Sequence, residues 1–178
     1  MKFGFLVCGP PGTGKSSNIT KMLKNARIKQ SFLLVDPDSL EGSTHLEKSQ
    51  KAMELVKESI EKKKSFVYVA TCGGLKDIME ILKSMKSAEF RTIVAIPYLK
   101  LPQAIERISK REQETPQEVI KDLHAFFQKK AEAYMSMKNL DEIYLYNNET
   151  DFNLLYSRKK KKIVCTPGDF FFDLTPYC

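Results

Sequence analysis

Phe3-Gly-Phe-Leu-Val-Cys8 runs without a break into Gly9-Pro10-Pro11-Gly12-Thr13-Gly14-Lys15-Ser16. The first six residues are apolar and uncharged, the pattern of a strand buried on both faces. The next eight fit GxxxxGK[ST] at every position. Each residue type answers a physical need. The glycines let the backbone curl so that its N–H groups converge on phosphate oxygens. A helix starting near Lys15 adds the positive end of its dipole. The Lys15 ammonium is placed to reach the β- and γ-phosphates, and the Ser16 hydroxyl to bind Mg²⁺. Strand, loop and helix in this order form the setting in which the pattern binds a nucleotide. Gly9, Pro10, Pro11, Gly12, Thr13, Gly14, Lys15, Ser16 and Ser17 are therefore the expected nucleotide-binding residues.

Beyond this loop the chain alternates strand and helix, which predicts an α/β domain with a mainly parallel sheet. The loop is followed by a helix from about Lys15 to Asn25 and a second strand at Ser31 to Val35. Asp36-Pro37-Asp38 ends that strand, since proline breaks the ladder and aspartate favours a turn. A long helix over 44–63 places Leu46, Met53, Val56 and Ile60 near one face. Ser65 to Thr71 reads as strand three and Leu75 to Met85 as a helix. Phe90 to Ile96 reads as strand four, stopped by Pro97. Helices follow from Leu101 to about Glu112 and, after Thr115 as cap and Pro116 at the first turn, to about Met137. The second carries an apolar stripe of Val119, Leu123, Phe126, Phe127 and Tyr134. Glu142 to Tyr146 reads as strand five, then comes a small C-terminal hairpin, and Phe170-Phe171-Phe172 packs down on the body. The expected fold is α/β in three layers: a mainly parallel five-stranded sheet flanked by helices, a helical lid at about 101–118, and the hairpin. The 178 residues suit one such domain, 1–178.

Composition narrows the function classes. Apolar residues make up 42% and charged residues 29%, a globular balance rather than a disordered one. No apolar run approaches the ~20 residues of a membrane span. The four cysteines are scattered without a CxxC pair and only two histidines accompany them, so no zinc site is expected. A disulfide framework is not expected either. The cysteines read as ordinary thiols, which places the protein in a reducing, cytoplasmic compartment. His45 and His124 carry no motif and read as solvent or helix-face residues. The net charge of +7 fits phosphate ligands and leaves nucleic acid open as a partner. The runs Lys62 to Lys64 and Lys159 to Lys162 read as solvated charge at a helix end and a turn.

A phosphate loop specifies what is bound, and the acceptor side needs its own groups. Asp36 and Asp38 follow strand two at its C-terminal end, where ligands bind in open α/β sheets. Asp38 is the candidate base on an acceptor hydroxyl, and Asp36 a candidate magnesium partner beside Ser16. The end of strand three carries Ala70-Thr71-Cys72 where motor and switch ATPases hold an acid. Arg107 and Arg111, spaced i, i+4, share one face of the lid helix and can close over a moving phosphoryl group ahead of the loop at 112–115. The catalytic candidates are thus Lys15, Asp38, Arg107 and Arg111.

With these pieces in place the chain resembles the zeta-toxin-like P-loop kinases from Phe3 to about Asn148. The P-loop, the exit Val35-Asp-Pro-Asp-Ser-Leu40, Ile96-Pro97 with Ala104-Ile-Glu-Arg107 and Arg111, Thr115-Pro-Gln-Glu-Val-Ile120, and Leu140 to Asn148 carry the resemblance. It implies ATP-dependent phosphorylation of a hydroxyl on a small molecule, nucleotide or nucleotide sugar. It puts Asp38 on the family's base position and Asn148 near the adenine. No guanine-reading NKxD pattern is apparent, which favours ATP over GTP. The chain departs from the family at Ala70-Thr71-Cys72-Gly73, in a lid loop without glycine and histidine, and at Lys121. Two other readings stay open: a polynucleotide 5′-hydroxyl kinase, and a nucleotide-binding protein that has lost transferase activity.

Overall fold

The first strand, β1 (Phe3–Cys8), is buried along its whole length because it lies in the middle of the sheet. Its side chains alternate between two cores. Phe3, Phe5 and Val7 point to one, Leu6 and Cys8 to the other. The computed structural model describes residues 1–111 and 115–178. Its further elements are α1 (Ile19–Asn25), β2 (Leu33–Val35), α2 (His45–Glu61), β3 (Phe66–Ala70), α3 (Leu75–Ser87) and β4 (Arg91–Tyr98), followed by α4 (Leu101–Ser109), α5 (Gln117–Ala131), β5 (Glu142–Asn147), β6 (Asn153–Lys159) and β7 (Lys162–Cys165).

The strands form one sheet in the order β2-β3-β1-β4-β5-β6-β7. The first five are parallel, as expected. The C-terminal hairpin is not separate: β6 pairs antiparallel with β5 and β7 with β6, so the sheet has seven strands rather than five. Met22, Leu23 and Ala26 of α1 cover one face. Side chains of α2, α3 and α5 cover the other, which completes three layers. Among the described residues no helix is long and apolar enough to cross a membrane.

Several local expectations shift. Strand four continues through Pro97 to Tyr98. The β1 pairing ends at Ala95, so a proline two residues on breaks no bond to the central strand. The turn after Lys15 is a 3₁₀ turn, Ser16–Asn18, and α1 begins only at Ile19. On α2 the buried face is Ala52, Val56 and Ile60, while Leu46 is exposed. On α5 it is Ile120, His124, Phe127 and Ala131, with Val119 and Phe126 outside. Pro116 is the N-cap of α5, and Thr115 makes no side-chain cap bond there. The lid loop expected at 112–115 lies, apart from Thr115, outside the described residues. Phe171 packs down as expected, against Tyr98 and Phe127.

The cysteine expectation is overturned. Cys8 is bonded to Cys72 and Cys165 to Cys178. Parallel pairing sets Cys8 opposite Ala70, so Cys72 emerges beside it at a Cα separation of 5.2 Å. A sequence separation of 64 conceals this, because only the sheet brings the two strand ends together. The compartment argument built on free thiols loses its premise.

At the opposite end of the sheet, Arg91 grips Glu142 through Nε and Nη2, both at 2.7 Å. Nη2 also donates to the Ala26 carbonyl, which ties the end of α1 to the starts of β4 and β5. Burial opposes ionisation of Glu142, yet the Arg91 guanidinium and the Tyr144 hydroxyl hold it below the usual carboxylate range.

Candidate active site

The P-loop leaves β1 and wraps over the C-terminal edge of the sheet. Gly12 and Gly14 take φ of +81° and +87°, where a side chain is strained. At Gly12 a Cβ would also stand 2.8 Å from the Ala104 carbonyl oxygen of α4. At Gly14 it would stand 2.3 Å from Asn148 Nδ2. These glycines therefore allow the helix above and the asparagine beside the loop to touch its backbone.

Lys15 Nζ donates to the carbonyls of Gly9 at 2.8 Å and Pro10 at 2.9 Å. Burial pushes its pKa down to about 8; the charges of Asp38 and Asp36 pull it up, and that of Arg111 adds to the lowering. Lys15, Asp36, Asp38 and Arg111 thus share one electrostatic neighbourhood. Ser16 Oγ donates to Asp36 Oδ2 at 2.8 Å. Asp36 Oδ1 accepts the Asp38 N–H at 3.1 Å, capping the 3₁₀ turn Pro37–Ser39. Asp36 is buried beneath the loop, whereas Asp38 is exposed on the cleft side. The two aspartates thus stand in different surroundings, Asp36 bonded to Ser16 and Asp38 exposed.

The two arginines are separated as well. Arg107 Nη2 donates to the Asn148 carbonyl at 2.8 Å, on the β5 side. Arg111, exposed and two residues beyond the end of α4 rather than on the helix as expected, is the one whose charge acts on Lys15. Asn148 is buried, and its Nδ2 donates to the Thr13 carbonyl at 2.9 Å. Its side chain holds the P-loop from beside Gly14. Ser17 is exposed in the 3₁₀ turn.

Sequence reasoning missed the part played by α5. His124 is buried, and its Nε2 lies 2.9 Å from the Pro11 carbonyl. Tyr134 Oη donates to the Cys72 carbonyl at 2.7 Å, and Lys130 Nζ to the Gly73 carbonyl at 3.1 Å. The turn after β3, which lacks an acid, is thus held by Lys130 of α5 and by Tyr134 of the 3₁₀ turn Glu132–Ser136 that follows it. The only signal for His124 was its place one turn before Phe127 on the helix. A surface hollow of about 570 Å³ is lined by Glu80, Lys83, Ser84, Ser87 and Ala88 and holds none of the P-loop groups. It is a shallow depression on α3, and the chemistry lies elsewhere.

A curled glycine loop on a central parallel strand, a lysine within it, a hydroxyl-carboxylate pair under it and a helix packed over it define the fold of a P-loop kinase. Solved structures agree. The chain is similar to AvrRxo1-ORF1 in complex with ORF2 and ATP, with a TM-score of 0.73 at 15% identity, over 93% of this chain and 60% of that one. It is similar to a structure of the PezAT chromosomal toxin–antitoxin system of Streptococcus pneumoniae, with a TM-score of 0.60 at 14% identity, over 88% and 72%. It is also similar to a gluconokinase from Sinorhizobium meliloti, with a TM-score of 0.55 at 11% identity, over 82% of each chain. The zeta-toxin-like P-loop kinase fold expected from the sequence is the fold observed. The chain spans about three fifths of the length of the AvrRxo1 chain. No family model matches the chain, and no curated protein matches it in sequence.

Proposed function

We propose that this protein is an ATP-dependent kinase that transfers the γ-phosphoryl group to a hydroxyl of a small molecule, nucleotide or nucleotide sugar. The observation that carries the reading is the linked set Ser16–Asp36–Asp38 beside Lys15, with Arg111 in electrostatic range of it. The P-loop amides and Lys15 bind the phosphates. Ser16 and Asp36 supply the hard oxygen ligands that suit Mg²⁺, a cation that keeps several waters. When bound there, the ion neutralises charge on the phosphate oxygens. Asp38, on the exposed side of the turn and without a side-chain partner among the described residues, orients the acceptor hydroxyl and takes its proton. The hydroxyl oxygen bonds to the γ-phosphorus as the bond to the bridging oxygen breaks, and ADP leaves with the electron pair. Lys15 and Arg111 stabilise the charge spread over the moving group.

The test is a screen of nucleosides, nucleotide sugars, small polyols and 5′-hydroxyl oligonucleotides with labelled ATP. The expected result is transfer to one acceptor class. Asp38→Asn is expected to lower kcat by about 10²- to 10⁴-fold while ATP affinity stays unchanged. Full turnover by Asp38→Asn removes Asp38 from the base role. Tight ATP binding with no transfer to any class favours the nucleotide-binding reading instead.

A further inference from the structure

Pro10 and Pro11 have no N–H, so after Gly9 the next amide that the loop can offer a phosphate is that of Gly12. The Pro11–Gly12 peptide is held from two sides. His124 of α5 meets the Pro11 carbonyl at 2.9 Å. Ala104 of α4 lies so close to Gly12 that a Cβ there would come within 2.8 Å of its carbonyl oxygen. A peptide unit is planar and trans, so the Gly12 N–H points opposite to the Pro11 carbonyl. Anchoring that carbonyl on α5 turns the Gly12 N–H away from the helix and toward the inner side of the loop.

A carbonyl only accepts, so the bond requires hydrogen on Nε2. Burial pushes the His124 pKa below the usual imidazole range; the Pro11 bond opposes this and the Lys15 charge adds to it. The ring is therefore neutral at physiological pH and occupies the Nε2–H tautomer. Nothing in the phosphoryl-transfer scheme uses this buried imidazole.

The geometry points to His124 as the positioning residue of the phosphate loop: it aims the Gly12 N–H at the phosphate site and couples α5 to nucleotide binding. The inference rests on the reading of the loop as the ATP site. It predicts that loss of one hydrogen bond, made to the outer side of the loop by a side chain that does not itself contact the nucleotide, weakens ATP binding.

The test is calorimetric titration of the full chain with Mg·ATP, for wild type and for His124→Leu, His124→Gln and His124→Asn, with a thermal melt without nucleotide as the folding check. Glutamine extends an N–H donor toward Pro11, and asparagine is polar but too short to reach it. His124→Leu and His124→Asn are expected to raise the ATP Kd by about tenfold, the usual effect of leaving a buried carbonyl unsatisfied. His124→Gln is expected to restore most of the affinity. If His124→Leu does not fold, the contrast between Gln and Asn decides. A Kd unchanged in every folded variant overturns the inference, as does a glutamine variant no better than asparagine. A wild-type chain that does not bind Mg·ATP overturns the nucleotide reading itself, and the inference with it.

Discussion

Lys15 is subject to two opposite pH effects. Its pKa in the folded protein is lowered to about 8, mainly by burial, against an ordinary value of 10.5. Between those values the unfolded chain binds a proton that the folded chain does not. Stability without nucleotide therefore rises with pH across that window. Phosphate binding needs the ammonium, so ATP affinity falls over the same window. A melt series and a titration series from pH 7 to 10 check both signs. A Lys15→Met variant is expected to flatten the binding profile. An ATP affinity that holds steady from pH 7 to 10 in the wild type removes Lys15 from the phosphate contacts.

On the scale of elements, α4 and α5 divide the work around the loop. Arg107 faces Asn148, which itself supports Thr13, so it belongs to the scaffold of the loop. Arg111 lies just beyond the end of α4 and acts on Lys15. Arg111→Ala is expected to lower kcat by about 10²-fold with little change in the KM for ATP, the signature of charge stabilised only in the transition state. Arg107→Ala is expected to raise the KM for ATP instead. Steady-state kinetics on the acceptor found by the screen separates the two. An Arg107 variant with the larger kcat effect would reverse this assignment. The i, i+4 spacing predicted one shared helix face, but α4 ends at Ser109 with Lys110 as its cap, so Arg107 stays on the helix beside Asn148 while Arg111 lies beyond it.

For the whole molecule, the two disulfides tie distant segments together. Cys8–Cys72 joins the root of the P-loop to the exit of β3 and closes a loop with a sequence separation of 64. In the chain-entropy account a loop of that size is worth about 4 kcal/mol. Cys165–Cys178 closes the C-terminal segment, whose Phe171 packs on α5 through Phe127. Reduction under conditions that keep the chain folded is expected to lower Tm by roughly 10 °C. Intact mass after alkylation checks the pairing: without reductant the denatured chain takes up no alkyl group. Uptake at all four cysteines would show free thiols and restore the expectation from composition.

What depends on neighbours along the chain could be read without a structure. The P-loop, its strand before and helix after, the parallel α/β pattern and the exit at Asp36-Pro-Asp38 were all legible, because period and motif are local properties. Tertiary structure decided what depends on facing partners. It joined the hairpin to the sheet, since β6 needs β5 to pair with. It bonded Cys8 to Cys72, since adjacent parallel strands end together. It gave Asp36 to Ser16 and left Asp38 on the cleft side, a distinction made by the turn rather than by residue type. It also turned α5 so that His124, a residue with no motif, reaches the Pro11 carbonyl far away in sequence. The nucleotide half of the site is compact in the chain and was read from it. The half that supports and completes it is assembled from four separate segments, and only packing brings those together.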